Sequence, residues 1–215
     1  MIDIVSALYP EGPNDENFFS ALLLRIIDRE ANRMDDLPLI TAVQPEIVRV
    51  EDKSDRPNAI LTAAKKTKGR HLLFVHSDAD ARKSQKALNE RINPGLALIA
   101  EYREKARDGT DLPIPVPLIP VQATEAWVLA DAEMLADELE IDVQDVNDVI
   151  QGDPERFARP KNPLNEIRDK AEDKIGDQDF FQILGQSVRL EKLDVLTSYK
   201  QFKKDLQSAL DEVLY

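Results

Sequence analysis

A chain of 215 residues carrying 41 acidic and 28 basic side chains, net charge -13, can form one sizeable domain or a domain with a helical extension. The lack of cysteine excludes disulfides, thiolate metal sites and cysteine nucleophiles, and two histidines argue against a zinc site of the usual kind. No apolar run approaches the roughly 20 residues that span a bilayer, and Met1-Ile-Asp-Ile has no basic leader, so a cytoplasmic protein without membrane contact is expected.

The charge is unevenly spread. Between Arg56 and Arg107 stand twelve Lys/Arg against five Asp/Glu, which leaves a net -20 elsewhere. That basic band reads either as solvated helix faces or as a track for phosphate.

Ile2 to Tyr9 reads as a first strand, ended by Pro10-Glu-Gly-Pro13. Asn14 or Asp15 can cap the helix that follows, whose Phe18, Phe19, Leu22, Leu23, Ile26 and Ile27 recur at helical spacing to about Arg33. Leu37 to Val50 is β-rich but broken by Pro45, the pattern of an edge or bent strand. Pro57 opens a helix that Gly69 stops. Leu72-Leu-Phe-Val75 is a short continuous apolar block, the signature of a strand buried on both faces of a mostly parallel sheet.

Asp78 and Asp80 fall where that strand runs out into its loop, the place where open α/β sheets bind ligands. An Asp-x-Asp pair suits a hard cation such as Mg²⁺ or Mn²⁺. His76 reads as a satisfied structural imidazole before it reads as a ligand. A basic helix from about Arg82 to Arg91 follows, with Asn93-Pro-Gly95 interrupting it. A second segment runs through Leu96, Ile99 and Tyr102, and Gly109 closes it.

Ile114 to Val121 carries prolines at 115, 117 and 120, so it is an edge strand or an extended crossing segment. Thr124 can cap a helix opened by Glu125, and Trp127 lies in an apolar helical run that makes it a core anchor before a base-stacking platform. A helical piece to Leu139 completes an α/β domain, a mostly parallel sheet flanked by helices, over residues 1–140. Beyond it, 141–215 reads as a helical extension packed on the core or on a partner, with helices over Asp142–Ile150, Asn165–Ile175, Gln178–Leu184 and Arg189–Leu214.

Glu11, Asp78, Asp80 and Glu125 thus stand at equivalent strand-to-helix borders, which lie on one rim of a parallel sheet. Carboxylates gathered there repel unless a cation holds them.

Tyr9-Pro-Glu-Gly-Pro-Asn-Asp15 resembles the Glu-Gly-x-x-Asp opening of toprim domains, and Phe74-Val-His-Ser-Asp-Ala-Asp80 resembles their Asp-x-Asp strand end. Toprim is the core shared by topoisomerases, bacterial primases and overcoming-lysogenization-defect nucleases. A longer string, adding Glu125-Ala-Trp-Val-Leu-Ala-Asp131 and Arg159-Pro-Lys-Asn-Pro163, is similar to uncharacterised bacterial and archaeal toprim-like proteins associated with phage-defence ATPases. Pro10 directly before Glu11 departs from the pattern, which puts the alignment of Glu11 in question.

The resemblance implies a Mg²⁺- or Mn²⁺-dependent nuclease or related phosphoryl-transfer enzyme acting on DNA or RNA. Asp78 and Asp80, with Glu11, would hold the metal; Glu11 and Glu125 would be the catalytic acids, Glu125 able to complete a second metal position. Arg82, Lys83 and Lys161 would contact the substrate. An ATPase partner, and self-association as a homodimer, are further expectations. A haloacid-dehalogenase-type phosphatase fits poorly, because its Asp-x-Asp follows the first strand. A non-catalytic acidic partner or regulatory subunit with a degenerate toprim-like fold is the alternative.

Overall fold

The computed structural model describes residues 2–33, 39–105, 111–172 and 176–214. The expected strand start at Leu37 and the helix stop at Gly109 lie outside the described residues, whereas the helix expected over Asn165–Ile175 spans Lys161–Arg168 and ends within them.

The first strand is interrupted at Val5 into β1 (Ile2–Ile4) and β2 (Ser6–Tyr9). Helix α1 (Pro13–Ala31) follows, then β3 (Ile40–Ala42) and β4 (Glu46–Ile47). β1 pairs with β3 in parallel, and β2 with β4. The partner of Ile4 is Ala42 and that of Ala7 is Glu46, so one extra residue is accommodated in Val43-Gln44-Pro45. The proline that suggested a bent edge strand sits at that bulge.

Helix α2 (Arg56–Lys66) starts under an Asp55 cap, and β5 (Leu72–His76) takes the centre of a four-stranded parallel sheet ordered β4-β2-β5-β6, with β6 spanning Ile114–Leu118. The α/β class with a mostly parallel sheet is therefore observed. Along β5, Leu72 and Phe74 enter one apolar core while Leu73 and Val75 enter another, on the opposite face. This is why the block is apolar throughout instead of alternating. β6 lies at the other edge, with Pro115 opposite Leu73 and Pro117 opposite Val75, and the Ile114 amide donates to the His71 carbonyl (2.8 Å). Their missing amides cost no ladder bonds.

The basic segment after β5 departs from expectation. A short α3 (Gln85–Ala87) runs through a π-turn (Leu88–Ile92) directly into α4 (Asn93–Lys105), so Asn93-Pro-Gly95 opens a helix instead of interrupting one. Pro94 cannot donate, and its ring crowds the preceding turn. Widening that turn, with the Asn93 amide bonded to the Leu88 carbonyl, absorbs the misfit. Gly95 then lets α4 approach Ile60 of α2, where a Cβ would meet Ile60 at 2.7 Å.

α5 (Glu125–Val128) and α6 (Ala132–Leu139) return to the sheet. α7 (Val143–Val149), a 3₁₀ turn (Pro154–Arg156), α8 (Lys161–Arg168), α9 (Asp177–Ser187), α10 (Leu190–Leu193) and α11 (Thr197–Leu214) complete the chain. The expected single helix from Arg189 is broken at Asp194-Val195-Leu196. Phe180, Leu184, Leu193, Tyr199, Phe202 and Leu206 share one apolar cluster with Leu8, Phe19 and Phe74, so the helical segment and the sheet bury each other. Among the described residues no helix is long and apolar enough to cross a membrane.

Polar bonds fix that packing. The buried Trp127 indole donates to Ser198 Oγ (2.8 Å), Ser198 Oγ donates to Glu155, and Glu155 accepts the Thr197 and Ser198 amides at the start of α11. Trp127 is thus a core anchor, edge-on to Phe19 and Tyr199. Asp131 caps α6 through the Met134 amide and accepts both the Arg189 amide (3.0 Å) and its guanidinium (2.8 Å from Nε). Burial opposes the charge on Asp131, but these donors outweigh it and hold its pKa below the ordinary carboxylate value.

A depressed carboxylate stabilises the fold above its unfolded pKa, and that contribution disappears as pH falls through the folded one. Asp131→Asn should therefore cost about 2 kcal/mol in denaturant melts at neutral pH. Its deficit against the wild type should close as the pH drops below about 3.9. Gly185, where a Cβ would stand 2.2 Å from the Phe18 carbonyl, holds α9 against α1. Gly185→Ala should lower stability by at least about 1–3 kcal/mol in the same melts.

Candidate metal centre

Three parallel strands deliver acids to one rim. Glu11 lies two residues beyond β2, Asp78 two beyond β5, and Glu125 opens α5 after β6. Glu11 accepts hydrogen bonds from Ser77 Oγ (2.9 Å) and from the Asp78 amide (3.2 Å). Pro10 therefore does not turn Glu11 out of line.

Asp15 joins them. Gly12 takes the extended N-cap position of α1, Pro13 the first helical position, and the Asp15 carboxylate folds back onto the Gly12 amide (3.0 Å). Thr124 ties this acid to the next strand: its hydroxyl donates to Asp15 Oδ1 (2.7 Å), and its amide donates to Asp78 Oδ1 (3.0 Å).

His76, the last residue of β5, is fully buried beneath the acids. Its Nδ1 lies 3.7 Å from Asp15 and 3.4 Å from the Glu11 amide, its Nε2 3.5 Å from Asp78, and its ring packs on Phe19. Burial works to lower its pKa. The hydrogen bond to Asp78 and the charges of Asp15, Asp78 and Glu11 overcome that and raise it. Asp15, His76 and Asp78 each offer a ligand atom within 4.8 Å of the others.

Glu125 is 5% exposed and its Oε2 has no hydrogen-bond partner, while Oε1 lies 3.8 Å from the Lys161 ammonium. Burial pushes its pKa up, and the neighbouring charges of Asp78 and Asp15 push the same way. Burial likewise raises Asp15. Asp15, His76 and Asp78 thus offer oxygen and nitrogen donors together, and the donor-free oxygen of Glu125 is buried where it feels the charges of both aspartates. The residues present fit a divalent cation.

Asp80 stands apart from this group. Its backbone is left-handed (φ 50°), its side chain is largely exposed, and its Oδ2 accepts from Arg91 Nη1 at 2.8 Å. Of the acids expected at the rim, Glu11, Asp78 and Glu125 are brought together, and Asp80 is engaged by a guanidinium beside them.

Arg82 and Lys83 are exposed and line a cleft of about 810 Å³ with Arg156, Gln85 and Thr197. Lys161, Arg159 and Asn162 line a second cavity of about 360 Å³ with Asp80 and Gln122. The basic band reaches the rim from one side only, and Arg159 and Lys161 approach it from the helical segment.

Asp15 and Arg91 had no role in the expected site. The Glu-Gly-x-x-Asp spacing contains Asp15, but its helix-capping position offered a sufficient structural reason for an acid. Arg91 reaches Asp80 only because of the π-turn, which sequence periodicity does not reveal. No family model, no curated protein and no solved structure matches the chain.

A carboxylate whose folded pKa is raised destabilises the fold as pH climbs from its unfolded to its folded value. Glu125→Gln should therefore melt at a higher temperature than the wild type at neutral pH in the presence of a chelator. The difference should vanish well below the unfolded glutamate value of about 4.3.

Proposed function

We propose that the protein is a Mg²⁺- or Mn²⁺-dependent phosphodiester hydrolase or related phosphoryl-transfer enzyme of toprim type, acting on nucleic acid. The observation that carries this reading is the group of Asp15, His76 and Asp78 at the carboxyl-terminal rim of the sheet, with Glu125 close enough to feel the charges of both aspartates and its Oε2 atom buried and unpartnered.

Asp15, Asp78 and Glu125 would hold the ion. Bound there, it would supply charge for a phosphoryl oxygen and help activate the attacking group. Glu11 is exposed and fixed in direction by Ser77 and the Asp78 amide. A carboxylate has about four acceptor positions, and those two bonds leave room to accept a proton from the nucleophile. Thr124 and His76 position Asp15 and Asp78 without reaching solvent. Lys161 lies 3.8 Å from Glu125 Oε1 and, with Arg159, faces the cavity that opens beside Asp80. Both side chains suit phosphate oxygens. The net charge of -13 disfavours strong unaided binding to nucleic acid, which supports an ATPase or other partner in delivering the substrate.

A second reading, a non-catalytic acidic partner subunit, is favoured by the stretch from Asp131 to Glu155, in which every charged side chain is acidic. The two separate cleanly in an assay of labelled DNA and RNA cleavage with Mg²⁺ or Mn²⁺. The enzyme reading expects chelator-sensitive cleavage that falls by at least about 100-fold in Glu11→Gln, within the range that general base catalysis contributes. It also expects loss of calorimetric metal binding in Asp78→Ala. Equal metal binding by Asp78→Ala, or cleavage indifferent to Glu11→Gln, would leave the subunit reading.

A further inference from the structure

We propose that the centre takes one divalent ion, and that Arg91 supplies at Asp80 the positive charge that a second ion would bring. The inference rests on the metal-dependent reading above. In two-ion centres the ions stand about 4 Å apart and each needs carboxylates of its own. Here the inner acids converge with His76, whereas the remaining acid of the Asp-x-Asp pair is held by a guanidinium.

The arrangement is built into the backbone on both sides. The Asp80 amide donates to the Gln122 carbonyl (2.9 Å) and the Gln122 amide to the Ala81 carbonyl (3.1 Å). Asp80 and Gln122 both adopt left-handed backbone conformations (φ 50° and 62°), which side chains other than glycine adopt at a cost. These bonds fix the direction of the Asp80 carboxylate. Opposite it, Arg91 occupies the π-turn that Pro94 and the Asn93 to Leu88 bond impose, so its reach is set by the helix path. One nitrogen, Nη1, bonds both Asp80 Oδ2 (2.8 Å) and the Asp78 carbonyl (2.9 Å), clamping the loop that carries the inner ligand.

A guanidinium has five donors in a rigid fork. Among the described residues Nε and Nη2 of Arg91 are paired with no acceptor. Arg91 can therefore keep Asp80 and still present two nitrogens to a phosphoryl oxygen, as a second metal ion would otherwise do. Its side chain is 39% exposed, open to a ligand approaching over the rim.

The test is Mn²⁺ titration by calorimetry on the full chain, wild type against Asp80→Asn, Arg91→Ala and Arg91→Lys. The expected result is one ion per chain in the wild type. In Asp80→Asn that ion should be retained with affinity changed by less than about tenfold, the low end for an outer-shell carboxylate. In Arg91→Ala, which frees the Asp80 carboxylate and the Asp78 carbonyl, a second and weaker Mn²⁺ should appear, and Arg91→Lys should suppress it. Two ions on the wild type, one of them lost in Asp80→Asn, would overturn the inference alone. So would a single ion persisting in Arg91→Ala. A wild type that binds no Mn²⁺ would overturn both the inference and the reading it rests on.

Discussion

Like-charged carboxylates on neighbouring parallel strands repel one another, and holding Glu11, Asp15, Asp78 and Glu125 on one rim is the constraint around which this fold is arranged. Two devices oppose the repulsion. The first is donation from neutral groups, chiefly Thr124, Ser77 and the backbone amides of Gly12, Asp78 and Thr124. The second is a pair of cations, Arg91 on the Asp80 side and Lys161 on the Glu125 side, with the buried His76 imidazole below Asp15 and Asp78. Neither device reaches Glu125 Oε2, which is why that atom is the sharpest sign of an unmet positive charge.

The helical segment after residue 140 takes part in this arrangement beyond the Arg159 and Lys161 side chains that it brings beside the rim. Trp127 belongs to the helix that Glu125 opens, and its indole is bonded through Ser198 to Glu155 and so to the start of α11. Asp131, just past the same helix, is bonded to Arg189 before α10. Glu125 is therefore placed by a helix of only four residues whose position is set by bonds from Trp127 and Asp131 to the C-terminal helices. A helix so short has little stability of its own. Its tertiary bonds do that work, and they make the segment part of the machinery that orients the acid.

The fold class was legible in the sequence because its signals are short-range and physical. The continuous apolar block at Leu72–Val75 requires burial on both faces, and the alternate prolines of Ile114–Leu118 tolerate only an edge. Three of the rim acids were legible for the same reason, since strand-to-helix borders of a parallel sheet share one rim. What was not legible depends on partners distant in the chain. Asp15 looks like an ordinary capping acid until Thr124, 109 residues away, is seen to bond it. Asp80 looks equivalent to Asp78 until its left-handed backbone and the π-turn under Arg91 separate the two. An Asp-x-Asp spacing specifies which residues leave the strand together; it does not specify that their carboxylates point the same way.

That separation bears on how a chain with net charge -13 would address a polyanion, the substrate proposed for it. Long-range attraction is weak for such a molecule, and over distances beyond about 8 to 10 Å salt screens what there is. Discrimination has to come from the immediate surroundings of the rim. There the cations are not spread as a patch but are each set beside a particular acid, Arg91 at Asp80 and Lys161 at Glu125. Pairing keeps each of these cations in place without a ligand. In the proposed reading, an incoming phosphate would take the donors that Arg91 has to spare and would find the inner acids already oriented. The cost of assembling the charges is met in folding, by the donors and cations already in place, so little reorganisation is left for the binding step.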